Sequence, residues 1–229
     1  MPTVLEKIIG QEKALDCIAR IQELVGVWMQ DNDIHSWEDL ASPNEFEVTD
    51  EDYHFKVCSG ATKIVLVPDN LSYVIKIPYY GEETWEGYVY PFNGGIEGKD
   101  MDYCAEEAEI YADAETFGCA QFFVPMVYLT MVGDIPIYIQ TKINAIRTMR
   151  PSNENAYRYA SIHNSEFLDP EVGGRLVQYY STEEIAIFLA FIKKHNINDL
   201  EGFRNGEYVK SFGRYVFWDY CGYHEENWD

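Results

Sequence analysis

The chain has 229 residues, 47% of them hydrophobic, which suffices for one ample domain or two small lobes with a buried core. Its 39 acidic and 17 basic residues give a formal net charge of −22. Such a surface repels nucleic-acid phosphates and attracts basic protein surfaces, so direct nucleic-acid binding is not expected. No stretch approaches the roughly 20 apolar residues that cross a bilayer, so no membrane partner is expected either.

The sequence shows neither a targeting signal nor a pattern of paired cysteines. The first residues lack the basic start and apolar centre of a signal peptide, which predicts a cytoplasmic protein. The 5 cysteines are scattered and never form a C-x-x-C pair, so neither a disulfide framework nor a zinc site is predicted.

The first predicted elements are helical. Apolar residues at helical spacing from 3 to 30 predict one amphipathic helix, or two helices broken near Gly10. Ser36 and Asp39 are predicted to cap a short helical turn. Residues 31 to 53 contain no Lys or Arg, so residues 1–52 are interpreted as an N-terminal helical, acidic extension.

Residues 53–142 are predicted to form a β-rich domain. Strands around "KIVLV" and "SYVIKIP" follow a first strand, with the turns "SGAT" and "PDN" between them, and predict three successive antiparallel strands. Residues 81 to 100 are interpreted as a Gly-rich acidic loop, and residues 101 to 118 as a helix that ends at Gly118. Two further strands, "QFFVPMVYLTMVG" and "IPIYIQTKI", are joined by a "GD" turn.

The remaining residues, 143–229, combine irregular and regular segments. Residues 143 to 180 are predicted to be loops with short helices. "STEEIAIFLAFIKKHN" predicts a helix capped by Ser181 or Thr182, and its predicted apolar stripe consists of Ile185, Leu189 and Ile192. "GEYVKSFGRYVFWDY" predicts a final β-hairpin. The expected fold class is therefore α+β.

From about residue 53 onward, this order of elements resembles the protein-kinase-like fold. The resemblance implies an N-lobe with an antiparallel sheet and one helix, and a minimal helical C-lobe that ends in the β-hairpin. "SGATK" is similar to a reduced glycine-rich loop, in which Gly60 would cover nucleotide phosphates. "VIKIP" is similar to the strand that carries the phosphate-binding lysine, here Lys76.

The same resemblance assigns roles to residues that follow. Glu107 is similar to the helix glutamate that holds the lysine in an ion pair, with Glu106 and Glu109 as alternatives. Gln140, in "YIQTKI", falls where the interlobe hinge would offer backbone hydrogen bonds to an adenine. ATP and Mg²⁺ are thus the candidate cofactors.

Two aspartates complete the resemblance. Asp199, in "INDLEGFRNG", matches the carboxylate that accepts the proton of the substrate hydroxyl, and Asp219, in "VFWDYCG", matches the Mg²⁺ ligand. The pattern departs from the family at Ile197, where His or Tyr is usual, and at Arg204, where the family has a metal-binding Asn. Asn205 follows one residue late and is a metal ligand only if the loop carries an insertion. The end of the chain is also expected to leave no activation segment and no substrate-binding helices.

These departures predict a catalytically degenerate, pseudokinase-like protein that acts by binding a basic protein surface through its acidic face. The compact layout resembles small kinase-like proteins of bacteriophages. That resemblance implies the host cytoplasm, and a host nucleic-acid-handling or defence enzyme, such as a restriction or CRISPR effector, as the target.

Two alternatives stay open. One is an active small kinase or phosphotransferase that uses Lys76, Glu107, Asp199 and Asp219; the other is a structural scaffold without a ligand. In the second case Lys76 is an ordinary edge-strand lysine and Glu107 a solvated helix residue. The oligomeric state is left open.

Overall fold

The structure is a computed structural model, and it describes residues 2–40, 55–59, 63–79, 82–85, 88–91, 102–146, 154–155, 158, 168–195, 197, 200 and 205–220. These residues divide into two compact units. The first is built from Met1–Ala108 and Pro125–Lys142, and the second from Glu109–Val124 and Ile143–His224. The predicted boundary after residue 142 coincides with a change of unit, whereas the one after residue 52 falls inside the first unit.

Helices and strands follow one another in groups along the chain. The α-helices are α1 Val4–Ile9, α2 Ala14–Asp31, α3 Tyr103–Phe117, α4 Pro170–Leu176 and α5 Thr182–Lys194. Short 3-10 helices cover Trp37–Leu40 and Ala120–Phe122. The strands are β1 Phe55–Ser59, β2 Lys63–Pro68, β3 Tyr73–Pro78, β4 Glu82–Trp85, β5 Tyr88–Pro91, β6 Met126–Val132, β7 Ile135–Thr141, β8 Ala145–Ile146, β9 Gly206–Val209 and β10 Arg214–Phe217.

A five-stranded sheet forms the centre of the first unit. Its strand order is β1-β2-β3-β7-β6, and every neighbouring pair is antiparallel. The predicted α+β class and the three successive antiparallel strands are therefore confirmed. The predicted turn between β6 and β7 is confirmed too, because Val132 pairs with Ile135 and Gly133 has φ +62, a value that glycine adopts without strain.

One face of this sheet is apolar and carries the core of the first unit. Ile64 pairs with Ile77 and Leu66 with Ile75, and all four side chains are fully buried. They share one core with fully buried residues of α2, namely Cys17, Ile21, Val25 and Trp28. The period of two along each strand directs the alternate residues to the opposite face.

Two predictions for the N-terminal segment, the helix break near Gly10 and the capped short turn, are confirmed. The helical segment is broken at Gly10, whose φ of +66 allows the chain to turn between α1 and α2. Asp39 anchors the start of the first 3-10 helix, because its carboxylate accepts hydrogen bonds from the backbone N–H groups of His35 and Ser36, each at 2.8 Å.

Two predictions of strand content were wrong. Residues 81 to 100, predicted as a loop, include the strands β4 and β5, which form an antiparallel ladder in which Trp85 pairs with Tyr88. The β-favouring sequence "YVY" was the signal for it. Residues 121 to 125, predicted as the start of a strand, contain the end of the 3-10 helix instead, and β6 begins only after Pro125, which has no N–H for a ladder.

The second unit has an aromatic core. Phe122 lies between the rings of Tyr180 and Phe188, with centroid distances of 4.0 and 4.3 Å. The predicted helix α5 is confirmed with Ser181 as its cap, but Leu189 is only half-buried, and Phe188 takes its place on the stripe. The predicted β9–β10 hairpin is confirmed, and β8, which was not predicted, adds a third strand beside β9.

Candidate functional site

The pairing of β2 with β3 brings two lysines to the same face of the sheet. Lys63 pairs with Pro78, and Lys76 pairs with Val65, two positions along. Because side chains alternate between faces, Lys63 and Lys76 are diagonal neighbours on the face opposite the apolar core. Tyr138 of β7 pairs with Lys76 and lies on this face as well.

Glu107 of α3 contacts both lysines. Its Oε1 lies 2.5 Å from Lys63 Nζ, and its Oε2 lies 2.7 Å from Lys76 Nζ. The two lysines are each 5% exposed and Glu107 is 0% exposed. We call these three residues the Lys–Glu–Lys cluster. Lys76 is therefore not an edge-strand lysine, since β3 is flanked by β2 and β7, and Glu107 is not a solvated residue.

The geometry of α3 selects Glu107 from the three neighbouring glutamates. Cys104 and Glu107 are three residues apart and therefore share one helix face, which packs on the sheet at Met126 and Tyr138. Glu109 is exposed and Glu106 half-buried. The pairing that the resemblance implies thus falls on Glu107.

Asp102 fixes the start of α3. Its Oδ1 accepts hydrogen bonds from the N–H groups of Cys104 and Ala105, at 2.8 and 3.0 Å, and its Oδ2 accepts one from the Tyr138 hydroxyl. Burial raises the pKa of Asp102, although these hydrogen bonds and the charge of Lys63 oppose the rise. Since Tyr138 lies on β7, this contact sets the position of the helix on the sheet, and so that of Glu107.

Cys104 lies close to the same charges, and its buried environment disfavours the thiolate form. Burial raises the pKa of its thiol well above the usual value, and Glu107 and Asp102 add to the rise. A neutral thiol is a poor nucleophile and a poor metal ligand.

The segment around Gln140 is already engaged within the first unit. The Gln140 side chain is 3% exposed, and its Nε2 lies 3.9 Å from Met126 Sδ. The next two backbone N–H groups, of Thr141 and Lys142, donate to the carbonyls of Pro125 and Ser72 at 3.0 and 2.8 Å. Adenine contacts of the kind the resemblance implies would have to use other backbone groups.

In the second unit, the β9–β10 hairpin brings Asn205 and Asp219 together. Gly206 pairs with Phe217, so the residues that flank this pair are adjacent. The Asn205 carbonyl accepts hydrogen bonds from the N–H groups of Trp218 and Asp219, at 2.8 and 3.5 Å. Asn205 is buried and Asp219 is half-buried.

Their oxygens are donors that suit Mg²⁺, which is often held by one or two protein groups together with substrate phosphates. Across the described residues, no group of three or more His, Cys, Asp or Glu could hold a metal by itself. The metal assignment to Asp219 and Asn205 stays a prediction. Gly60, Asp199 and Arg204 lie outside the described residues, as does the acidic segment 45–52.

One buried lysine and one buried ion pair were missed from the sequence. Lys63 could have been found, because a tight "PDN" turn fixes a hairpin register that brings it to the face of Lys76. The other is the ion pair between Arg175 of α4 and Glu207 of β9, at 2.8 Å, with both side chains almost fully buried. Nothing in the sequence linked these two residues.

Comparisons with known proteins add no relationship: protein-family models, curated proteins and solved structures each gave no match to this chain. Within the described ranges, no helix combines the length and apolar content that crossing a membrane requires.

Proposed function

We propose that this chain is a kinase-like protein that binds a nucleotide with Lys76, held by Glu107, and that acts through binding rather than through phosphoryl transfer. The observation that carries the proposal is the buried ion pair between these two residues, at 2.7 Å. In protein kinases, a lysine on the third strand pairs with a glutamate of the following helix and contacts the nucleotide phosphates.

The order of elements supports the same interpretation. Lys76 lies on the third strand of the five-stranded sheet, and α3 follows before β6 and β7 complete that sheet. Burial of a lysine is costly unless a partner compensates its charge, and a buried ion pair is often no more stabilising than apolar residues of the same size. The stability of the fold therefore does not by itself explain why Lys76 is buried. A rigid cation on a sheet is what phosphate binding needs.

The departures from the kinase pattern favour binding over catalysis. Ile197, which stands where His or Tyr is usual, is fully buried as a core residue. Asn205 stands one residue after the position at which the family has its metal-binding Asn. If Mg²⁺ were bound with a nucleotide, Asp219 and Asn205 would be its protein ligands. When bound, Mg²⁺ would neutralise phosphate charge. The chain's own contribution is then to hold the phosphates at Lys76.

Thermal unfolding with and without millimolar Mg-ATP tests nucleotide binding. A ligand at one hundred times its Kd stabilises the fold by about 2.7 kcal/mol, which shifts the midpoint measurably. We expect this shift in the wild type, its loss in Lys76→Met, and its retention in Lys56→Met, which removes an exposed lysine of β1 on the same sheet. Phosphate release from ATP should stay at background. A wild type without any shift contradicts the proposal.

A second candidate function is favoured by the net charge of −22. We infer that the acidic surface binds a basic protein surface, with the nucleic-acid-binding cleft of a host enzyme as the partner class. Residues 45–52, "EFEVTDED", carry five of the acidic side chains and no basic one. Replacing these acids by lysines should weaken such a complex and reduce its salt dependence. A complex that is untouched by the reversals rules this surface out.

A further inference from the structure

Tyr138 lies beside Lys76 and also contacts the helix that carries Glu107. Tyr138 and Lys76 pair directly on β7 and β3, and side chains opposed in this way have their Cβ atoms about 5 Å apart. The Tyr138 side chain is buried, and its hydroxyl donates a hydrogen bond to Asp102 Oδ2. One buried residue therefore links the surroundings of Lys76 to the residue that caps α3.

Asp102 transmits this contact to the helix. Its Oδ1 accepts hydrogen bonds from the N–H groups of Cys104 and Ala105, so the first turn of α3 is bound to a carboxylate that β7 also holds. Glu107 follows about one turn later in the same helix. A displacement of the first turn therefore moves the Glu107 carboxylate relative to the Lys76 ammonium group, from which it lies 2.7 Å away.

Asp102 is also coupled by charge to the Lys–Glu–Lys cluster. Burial raises the pKa of Asp102, whereas the hydrogen bonds from Tyr138 and from the backbone, together with the charge of Lys63, lower it. Hydrogen bonds to an ionised group are about twice as strong as neutral ones. Loss of the Tyr138 hydroxyl would thus free α3 from β7 and leave a largely buried carboxylate with one donor fewer.

We propose that Tyr138 and Asp102 are positioning residues of the nucleotide site, and that their hydrogen bond holds α3 where Glu107 presents Lys76 to the nucleotide phosphates. The affinity for a nucleotide then depends on the fraction of molecules in which α3 occupies this position, because the apparent Kd is the intrinsic Kd divided by that fraction. The inference rests on the proposed nucleotide binding and identifies residues that set the geometry of the site.

The first experiment measures the Kd of Mg-ATP for the full chain by titration calorimetry. Tyr138→Phe keeps the ring and removes only the hydroxyl. It should raise the Kd at least about threefold, because a lost hydrogen bond to a charged group favours displacement of α3 while its other contacts remain. The matched control is Tyr128→Phe on β6, which should leave the Kd unchanged, because Tyr128 is exposed and its ring contacts that of Tyr138 edge-on.

Two variants of Asp102 test the same contact from the helix side. Asp102→Ala removes the acceptor and should raise the Kd as Tyr138→Phe does. Asp102→Asn keeps an oxygen for the helix N–H groups and gains an amide that can donate to the Tyr138 oxygen, so it should recover most of the affinity lost in Asp102→Ala. Equal losses in the alanine and asparagine variants overturn the inference.

A second measurement needs no nucleotide. Acetylation of lysines, followed by mass spectrometry, reports how accessible each ammonium group is in the ligand-free protein. Tyr138→Phe should speed the modification of Lys76 at least about threefold. Lys142, whose ammonium group donates to the Pro68 carbonyl at 2.5 Å, should react at its wild-type rate. Equal acceleration at both lysines would show a general loosening of the first unit and overturn the inference.

The outcomes separate the two proposals. If the wild type binds no ATP, the proposed function and this inference fall together. If the wild type binds ATP and Lys76→Met does not, but Tyr138→Phe keeps the wild-type Kd or the slow modification of Lys76, only the inference falls. Weaker ATP binding together with faster modification of Lys76 supports it. If Tyr138→Phe does not fold, the comparison of the two Asp102 variants decides by the same two measurements.

Discussion

At the scale of single residues, the most consequential feature is a carboxylate shared by two cations. Glu107 is fully buried, and both of its oxygens contact lysines. Removing one side of a buried ion pair leaves charge without compensation, which is usually far more costly than losing a surface pair. Substitution of Glu107 should therefore lower the free energy of unfolding more than substitution of an exposed residue does.

We predict that Glu107→Gln lowers the free energy of unfolding by about 3–5 kcal/mol, because two buried ammonium groups lose their carboxylate. Glu109→Gln, on the exposed side of the same helix, should change it by no more than about 0.5 kcal/mol. Denaturant unfolding measures both. Adding Lys63→Met to Glu107→Gln should restore part of the loss, since one buried cation is removed. Equal effects of the two glutamine variants would contradict the prediction.

A histidine at the end of α5 should make stability depend on pH. The His195 ring lies 4.4 Å from that of Phe191, and its Nε2 is 3.5 Å from Asp113 Oδ2. Burial lowers the pKa of His195, Lys194 lowers it further, and Asp113 opposes both. The unfolded chain thus binds the proton more readily than the folded one. The stabilising contribution is complete above the unfolded value of about 6.5 and declines as the pH falls below it.

The difference in unfolding free energy between wild type and His195→Gln should therefore shrink as the pH is lowered from about 8 to about 5. Chemical denaturation across this range measures it. A difference that stays constant with pH would show that His195 is not protonated more easily on unfolding.

At the scale of elements, the sequence predicted what local patterns determine. Alternation and turn residues identified β1 to β3, the Gly133 turn and the final hairpin, and the Ser181 cap located α5. What it missed depends on contacts between distant segments. Phe188 displaces Leu189 from the buried stripe because its ring stacks on Phe122, 66 positions earlier in the chain, and no periodicity shows that.

The candidate site divides in the same way. Lys76 and Glu107 could be named because each lies in a recognisable local pattern. The contact between Glu107 and Lys63 depends on the register of β2 and β3, and on the position of α3 on the sheet, which the hydrogen bond between Asp102 and Tyr138 sets. The hairpin turn could have indicated the register, but the seating of α3 joins segments that are distant in the chain, so a pattern within one segment does not contain it.

Two glycines in regular elements should respond in opposite ways to the same substitution. A Cβ at Gly206, the first residue of β9, would lie 2.7 Å from Phe217 Cδ1 and 2.9 Å from Tyr215 Cε1. At Gly26, inside α2, it would meet nothing within 4 Å. One position is closed by the aromatic core, while the other has room for a better helix former.

We therefore predict that Gly206→Ala destabilises the protein by about 1–3 kcal/mol, because the aromatic rings must move. Gly26→Ala should stabilise it by about 0.5–1 kcal/mol, because alanine loses less backbone entropy in a helix. The thermal midpoints of the two variants, compared with that of the wild type, show whether each substitution stabilises or destabilises the protein. Shifts in the same direction would mean that the rings beside Gly206 adapt at little cost.

At the scale of the whole molecule, the net charge of −22 is the dominant property. An excess of like charge destabilises a compact state through self-repulsion, and salt screens that repulsion. The Debye length falls from about 30 Å at 0.01 M to about 8 Å at 0.15 M ionic strength, so distant surface carboxylates cease to interact over this range. Buried pairs such as Lys76 and Glu107 are screened much less.

The thermal midpoint of the wild type should consequently rise between these two ionic strengths. Glu107→Gln should show the same rise, since the cost of that substitution arises inside the protein, where salt has little access. Sodium chloride and sodium perchlorate at equal ionic strength separate screening from specific anion effects. A midpoint that falls with salt would mean that surface ion pairs contribute more to stability than the repulsion between surface carboxylates removes.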